Sequence, residues 1–372
     1  MTSAVEAATS VAPLVRSRAE EAEAARRLPD DVVMALRDAG LLRMCVPAKY
    51  GGPEVDPLTM MTAIELVAAA DGAAGWCTMI ASTTSSMASY LPESWAEKIY
   101  EDATVITGGA FAPSGVGTAV DGGHRVNGRW AWGSGTQHCQ WITGGTLTDR
   151  GEFHLMFFPA ADVEILDTWY SHGLRGTGSN DFEVHDALVP DGLSVQPLVA
   201  HRHEQSPLSR FPNFSLLACG VATTLVGIAA HAIDEFVALA SEKTPMLAQK
   251  KLSGFAMAQI DVAKAEAALG AARAFLHHEV GVAWDLVQAG DPVPVAQRAR
   301  IRLACAHAGA ESARAVDLAY NAGGGSTVYT SSSLGRCFRD VHSATQHIMV
   351  SPRMLETFGK LRMGIEVDTA ML

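Results

Sequence analysis

The feature that most constrains this 372-residue chain is a change of hydrophobic period near its middle. Between about Thr104 and Pro190 it runs in short β-branched and aromatic stretches, "TVITGGAF", "HRVNGRWAW", "CQWITGGTL", "FHLMFFP" and "FEVHDALVP", which read as strands. On either side the pattern is helical. Upstream, "LPDDVVMALRDAGLL" carries Pro29 and two acids at its start and Gly40 past its end, the signals that open and close a helix. Leu58, Met61, Ile64 and Val67 form one apolar stripe in the long segment that follows. Downstream, Ala-rich blocks continue until Gly323–Gly325, and small residues on several faces favour close antiparallel packing. A mainly α fold with an inserted antiparallel β unit follows: an N-terminal helical domain (1–103), a central small β-barrel or sandwich (104–205) and a C-terminal four-helix bundle (206–372). Asn127-Gly128 is the strongest short-range hairpin signal in the β unit and is expected to form its turn.

A formal net charge of −12 argues against a general nucleic-acid binder, which needs clustered Lys and Arg to neutralise phosphates. Phe211–Ile233 contains no Asp, Glu, Lys or Arg and is long enough to cross a bilayer, yet it is rich in Ala, Gly and Thr and lacks interfacial flanks. It reads as a helix buried in a bundle, so no membrane association is expected. Six cysteines lie far apart with no C-x-x-C, and the N-terminus lacks the basic start and apolar core of a secretory signal. A reduced, cytoplasmic protein is expected. No two histidines flank a glutamate at metal-ligand spacing, so no metal site is expected.

Four phrases occur in the order characteristic of one superfamily: "LPDDVVMALRDAGLLRMCVPAKYGG", "VNGRWAWGSG", "HGLRGTGSNDFEVHDALVP" and "GGGSTVYTSSSLGRCFRD". Together they resemble the acyl-CoA dehydrogenase fold over nearly the whole chain. Dehydrogenases of that fold mostly place a catalytic glutamate between the glycine turn and the Arg-Asp pair. Here Asn321 to Arg339 contains no acidic residue, and the serines Ser331–Ser333 stand where a base is sought. A serine hydroxyl does not remove an α-proton at neutral pH. The chain is closest in pattern to the two-component flavin monooxygenases of the fold, such as 4-hydroxyphenylacetate 3-hydroxylase and the steroid phenol hydroxylases.

That resemblance implies a reduced flavin (FMNH2 or FADH2), O2 as co-substrate, reaction through a C4a-hydroperoxide, an aromatic or polycyclic small-molecule substrate and a separate NAD(P)H-dependent flavin reductase. A homotetramer or homodimer is implied as well. His347, following Arg339-Asp340, matches the histidine near flavin and substrate, and Ser134 matches the residue that hydrogen-bonds the flavin beside N5. Five apart, His342 and His347 are expected on different faces of one helix. Trp132 and Gly133 form the expected flavin wall, while Trp130 and Trp141 are assigned to packing. Phe111, Ala112 and Ser114 are expected to contact the flavin, and Gly323 and Gly324 to belong to the cofactor site through the glycine turn. His138, His172, His277, His278 and His342 are assigned no catalytic role. Two competing readings stand beside this one. In the first, an acyl-CoA dehydrogenase uses a displaced base, Asp234, Glu235 or Glu266; in the second, the fold is kept as a non-catalytic binding protein.

Overall fold

A computed structural model describes residues 3–199 and 202–372. The N-terminal part contains α1 (Ala4–Ser17), α2 (Ala19–Ala25), α3 (Asp30–Asp38), α4 (Pro57–Ala70), α5 (Gly72–Ser85) and α6 (Glu93–Tyr100). Pro29 opens α3 from an extended conformation, and Gly40 follows it in the left-handed region. The long stripe starting at Leu58 is broken into α4 and α5 at Asp71. There the backbone becomes extended and the Asp71 carboxylate accepts the Ala74 N–H at 2.9 Å, capping α5. Met60, Ala63 and Ala68 are as buried as the stripe itself, so α4 is enclosed on more than one face.

Among the described residues seven strands form one mixed sheet, β1 (Thr107–Val120), β2 (Gly123–Gly133), β3 (Trp141–Thr148), β4 (Phe153–Pro159), β5 (Glu164–Leu166), β6 (Asn180–Pro190) and β7 (Ser194–Val195). Their order is β5-β6-β2-β1-β3-β4-β7. The sheet departs from the expected antiparallel unit because β1 and β3 are parallel. After β2 returns to the level where β1 began, the chain crosses through Gly135–Gln140 and starts β3 there, with Thr107 opposite Trp141.

The hairpin turn is not Asn127-Gly128. β1 and β2 reverse at Asp121-Gly122, with Gly122 at φ 75°, while Asn127 and Gly128 lie inside β2 at a register shift against β6. Gly128 is needed there for space: an added Cβ would meet the Trp130 ring at 2.6 Å and the Gly115 Cα at 2.8 Å. Asn127 Oδ1 accepts the Asp186 N–H at 2.9 Å, stitching the bulge to β6.

A short α7 (Pro207–Arg210) leads into the bundle of α8 (Asn213–Glu242), α9 (Ala256–Ala289), α10 (Val295–Gly323) and α11 (Ser333–Ala344), followed by α12 (Arg353–Arg362). The charge-free stretch lies in α8, whose most apolar window is 89% buried. It packs against α4, α5, α9, α10 and α11, so it is the central core helix joining the bundle to the N-terminal part.

Candidate functional site

Two tryptophans two apart in β2 have opposite fates. Trp130 is fully buried, stacked on Phe182 with ring centroids 5.1 Å apart, and its indole N–H donates to the Gly145 carbonyl at 2.7 Å. Trp132 is 70% exposed and sits at φ 65°, a conformation that costs a residue with a Cβ roughly 1–2 kcal/mol. A register shift between Trp130 and Gly133 accompanies it. Gly133 has no room for a side chain, since a Cβ would press on the Phe182 ring at 2.7 Å. The result is a large uncovered indole, held in a strained backbone, two residues before Ser134.

Ser134 is buried just past the end of β2, and its hydroxyl is the centre of a hydrogen-bonded chain. Trp76, on α5, donates its indole N–H to Ser134 Oγ at 3.1 Å. On the other side Ser134 Oγ lies 2.7 Å from Ser179 Oγ, which lies 2.6 Å from Thr177 Oγ1. Thr177 Oγ1 donates to the Leu174 carbonyl at 2.8 Å. The Trp76 ring also meets the His347 ring edge-on, with centroids 5.5 Å apart and an interplanar angle of 72°. One indole therefore joins Ser134 to His347 although the three residues come from the N-terminal helices, the sheet and the C-terminal region.

His347 is not on the same helix as His342. α11 ends at Ala344, and His347 opens a short turn, Ile348–Val350, where its Nδ1 accepts the Met349 N–H at 3.3 Å. With Nδ1 accepting, the neutral ring carries its proton on Nε2. Burial, with a further contribution from the Arg302 charge, pulls its pKa down to about 4. Arg302 is itself buried and donates to the carbonyls of Met349 and Met371. His342 instead faces Asp317, with Nε2 2.8 Å from a carboxylate oxygen.

The Leu174 peptide is clamped on both sides. Its N–H donates to Asp340 Oδ1 at 2.6 Å, and its carbonyl also accepts the Trp169 indole N–H at 3.0 Å. Asp340 is buried beside Asp71, and desolvation, then the neighbouring Asp71 charge, push its pKa up to about 7. The Asp of the Arg-Asp pair thus supports the loop that carries Thr177 and Ser179.

At the same end of the sheet's central strands, the pairing of β1 with β3 is interrupted between Ala110 and Gly115, just beyond the point where Gly115 stands opposite Gly128 of β2. This interruption contains Phe111, Ala112 and Ser114. Ala112 and Ser114 are exposed, whereas Phe111 is half-buried between Phe153 and Phe214, each at 5.3 Å, and packs the sheet against α8. Gly145 lies beneath the bulge, where a Cβ would strike the Ala112 carbonyl at 2.6 Å. Gly323 ends α10 and its carbonyl accepts from Lys243 Nζ at 2.7 Å; Gly324 follows at φ 61°, ψ −152°, a region open essentially to glycine alone. This turn is tied to Lys243 and Thr327, not to Ser134 or His347.

The displaced-base candidates are poorly placed for proton abstraction. Glu235 is engaged by His231 at 3.3 Å, and Asp234 and Glu266 are exposed. His138 is half-buried, with its pKa lowered to about 4 by burial and then by Arg27, and His172 is exposed. Among the described residues one group could gather around an ion, Glu164, Glu183 and His185, but it lies on the outer strands and Arg129 already approaches Glu183 at 3.4 Å. Trp76, Thr177 and Ser179 were not marked by sequence reasoning. The phrases containing them, "GW" and "RGTGSN", were visible, but nothing along the chain shows that they meet at Ser134.

Comparison with known proteins agrees with this architecture. Residues 5–94 match the family model for the acyl-CoA dehydrogenase N-terminal domain, and residues 219–352 that for the C-terminal domain. Indole-3-acetate monooxygenase of Pseudomonas putida is 33% identical over 355 residues, covering 94% of this chain and 90% of that protein. The flavin-dependent monooxygenase oxygenase subunit HsaA of Rhodococcus jostii is 29% identical, covering 97% of this chain and 98% of the relative. The crystal structure of 3-HSA hydroxylase from Rhodococcus sp. RHA1 superposes with a TM-score of 0.95 at 28% identity, covering 100% and 99% of the two chains.

Proposed function

The chain belongs to the acyl-CoA dehydrogenase family and is a flavin-dependent monooxygenase of its two-component kind; on that premise we propose that it hydroxylates an aromatic or polycyclic small molecule beside Trp76 and His347. The observation that carries this reading is the Trp76 indole, bonded to Ser134 through its N–H and packed edge-on against His347. The uncovered Trp132 ring, set at a strained φ beside a buried hydroxyl, fits a flat cofactor that covers it. Ser134 would accept the N5–H of reduced flavin, Trp132 and Gly133 would flank the ring system, and the exposed backbone at Ala112 and Ser114 would meet its polar edge. Reduced flavin, as FMNH2 or FADH2, supplies the activation of O2 when bound.

The chain's own contribution is orientation and exclusion of water. His347, neutral and protonated on Nε2, offers a hydrogen-bond donor to an oxygen atom of the substrate or co-substrate. Action as a base is closed to it in this geometry, because the nitrogen that accepts is already used by the backbone. Trp76 supplies an apolar ring edge for an aromatic substrate. A separate NAD(P)H-dependent flavin reductase is the partner, in keeping with the "oxygenase subunit" designation of the relatives. Copies of the chain would assemble as a homotetramer, for which the fully exposed Met246 and Leu247 between α8 and α9 supply an apolar contact.

The test supplies purified protein with photoreduced FMN or FAD, 18O2 and a panel of indoles, phenols and fused-ring aromatics. Incorporation of one 18O atom into a ring supports the assignment. Anaerobic bleaching of bound oxidised flavin by an acyl-CoA, with no oxygen incorporation, would overturn it.

A further inference from the structure

We propose that Thr177 and Ser179 are positioning residues that fix the Ser134 hydroxyl as a hydrogen-bond acceptor toward the flavin, so that the site discriminates reduced from oxidised flavin. The inference rests on the reading that Ser134 faces flavin N5, and it is decided by the direction in which protons must lie along the chain of hydroxyls.

At one end stands the Leu174 carbonyl, which has no proton and only accepts. Thr177 Oγ1, at 2.8 Å, must therefore give its proton to Leu174. Having spent that proton, Thr177 accepts from Ser179, whose oxygen is 2.6 Å away. Ser179 in turn accepts from Ser134 at 2.7 Å. At the other end stands the Trp76 indole N–H, which only donates and reaches Ser134 Oγ at 3.1 Å. The Leu174 end sets the polarity, and the Trp76 donor is compatible with it. Ser134 has given its one proton to Ser179 and used one lone pair for Trp76, and a single lone pair remains.

The five residues are all buried, so water does not compete to turn a hydroxyl around. The anchor is also rigid. Leu174 sits at φ 51°, its N–H is held by Asp340 Oδ1 at 2.6 Å, and Gly173 is packed so closely on the Arg339 backbone that no Cβ fits. Reversing the chain would require the Leu174 carbonyl to give up the Thr177 hydroxyl, its shortest contact, while Thr177 and Ser179 both rotate.

N5 of reduced flavin carries a proton and donates, whereas N5 of oxidised flavin carries a lone pair and accepts. A Ser134 restricted to accepting is complementary to the first and opposes the second, since two acceptors face each other. The chain of hydroxyls thereby favours the redox state the reaction consumes and weakens retention of the spent one.

The experiment measures the dissociation constants of oxidised FMN and FAD, by fluorescence quenching, and of the same flavins photoreduced under anaerobic conditions. The proteins are the wild type and the Ser179→Ala, Thr177→Val, Thr177→Ser and Ser134→Ala variants, each with its melting temperature. Ser179→Ala and Thr177→Val release the Ser134 proton, and each should tighten oxidised flavin, narrowing the preference for reduced flavin by about three- to tenfold. Thr177→Ser keeps the hydroxyl and should restore the wild-type ratio. If Ser134→Ala changes the ratio while Ser179→Ala and Thr177→Val leave it alone, the relay is wrong and the placement of Ser134 stands. If Ser134→Ala changes neither constant, Ser134 does not meet the flavin, and both the relay and that placement fall.

Discussion

In the proposed function His347 acts as a neutral donor because of what surrounds it, and that role is testable through pH. Burial and Arg302 lower its pKa to about 4, so the ring is uncharged at every pH above that value. Turnover should therefore show no acid limb near the ordinary histidine pKa of 6.5. A plateau in kcat/KM from pH 5 to 8 is expected, and a limb near 6.5 that vanishes in His347→Gln would identify His347 as a base instead. Stability behaves differently: the unfolded chain takes up this proton near 6.5 and the folded one only near 4, so the His347 contribution to folding weakens as pH falls through that interval. Trp76→Phe keeps an aromatic face toward His347 but removes the N–H that reaches Ser134. Loss of one buried hydrogen bond should lower kcat by about three- to tenfold, with a melting temperature within a few degrees of wild type. An unchanged kcat in Trp76→Phe would mean that the indole N–H does not position Ser134.

Among the elements, local signals were read well where a side chain acts on its own backbone and poorly where a distant neighbour decides. Pro29 and Gly40 bracket α3 as the sequence indicates, since both act through their own φ angles. Asn127-Gly128 looked like a turn for the same reason, yet the pair is absorbed into β2 because the Trp130 ring and Gly115 demand a glycine at that point. The break at Asp71 was hidden by an apolar stripe that continues across it. Its carboxylate caps α5 and shares a buried region with Asp340. Asp340, raised from 3.8 to about 7, holds a proton in the folded state that the unfolded chain has released, so its contribution to stability should fall as pH rises from about 4 to about 7, opposite in sign to that of His347. Asp340→Asn preserves the Oδ1 acceptor for Leu174 and removes the charge. Its melting temperature should equal or exceed that of wild type at pH 8, and the difference between variant and wild type should move in the variant's favour as pH rises from 4 to 7; a difference that does not change with pH would place that titration elsewhere.

At the level of the whole molecule, the candidate site is assembled from three regions far apart in sequence, with α8 between the N-terminal helices and the bundle. The proposed assembly between copies extends the same logic. Leu247 is wholly exposed at φ 64°, and Met246 beside it is 92% exposed. Leu247→Asp should shift the mass measured in solution toward smaller species while leaving the far-ultraviolet helical signal intact; an unchanged mass would remove this loop from the interface. The period change near Thr104, the glycine turn at 323–325 and the missing acid between Asn321 and Arg339 were legible in the chain, because they depend on residue type and spacing alone. So were Ser134 and His347 as candidates, through the phrases that contain them. The bridging of those two by Trp76, the past-the-helix position of His347, and the one-way chain through Ser179 and Thr177 to Leu174 were decided only by the fold. A sequence records which groups can donate or accept, but the direction of a proton is set by which of them are brought within about 3 Å of one another and closed off from water.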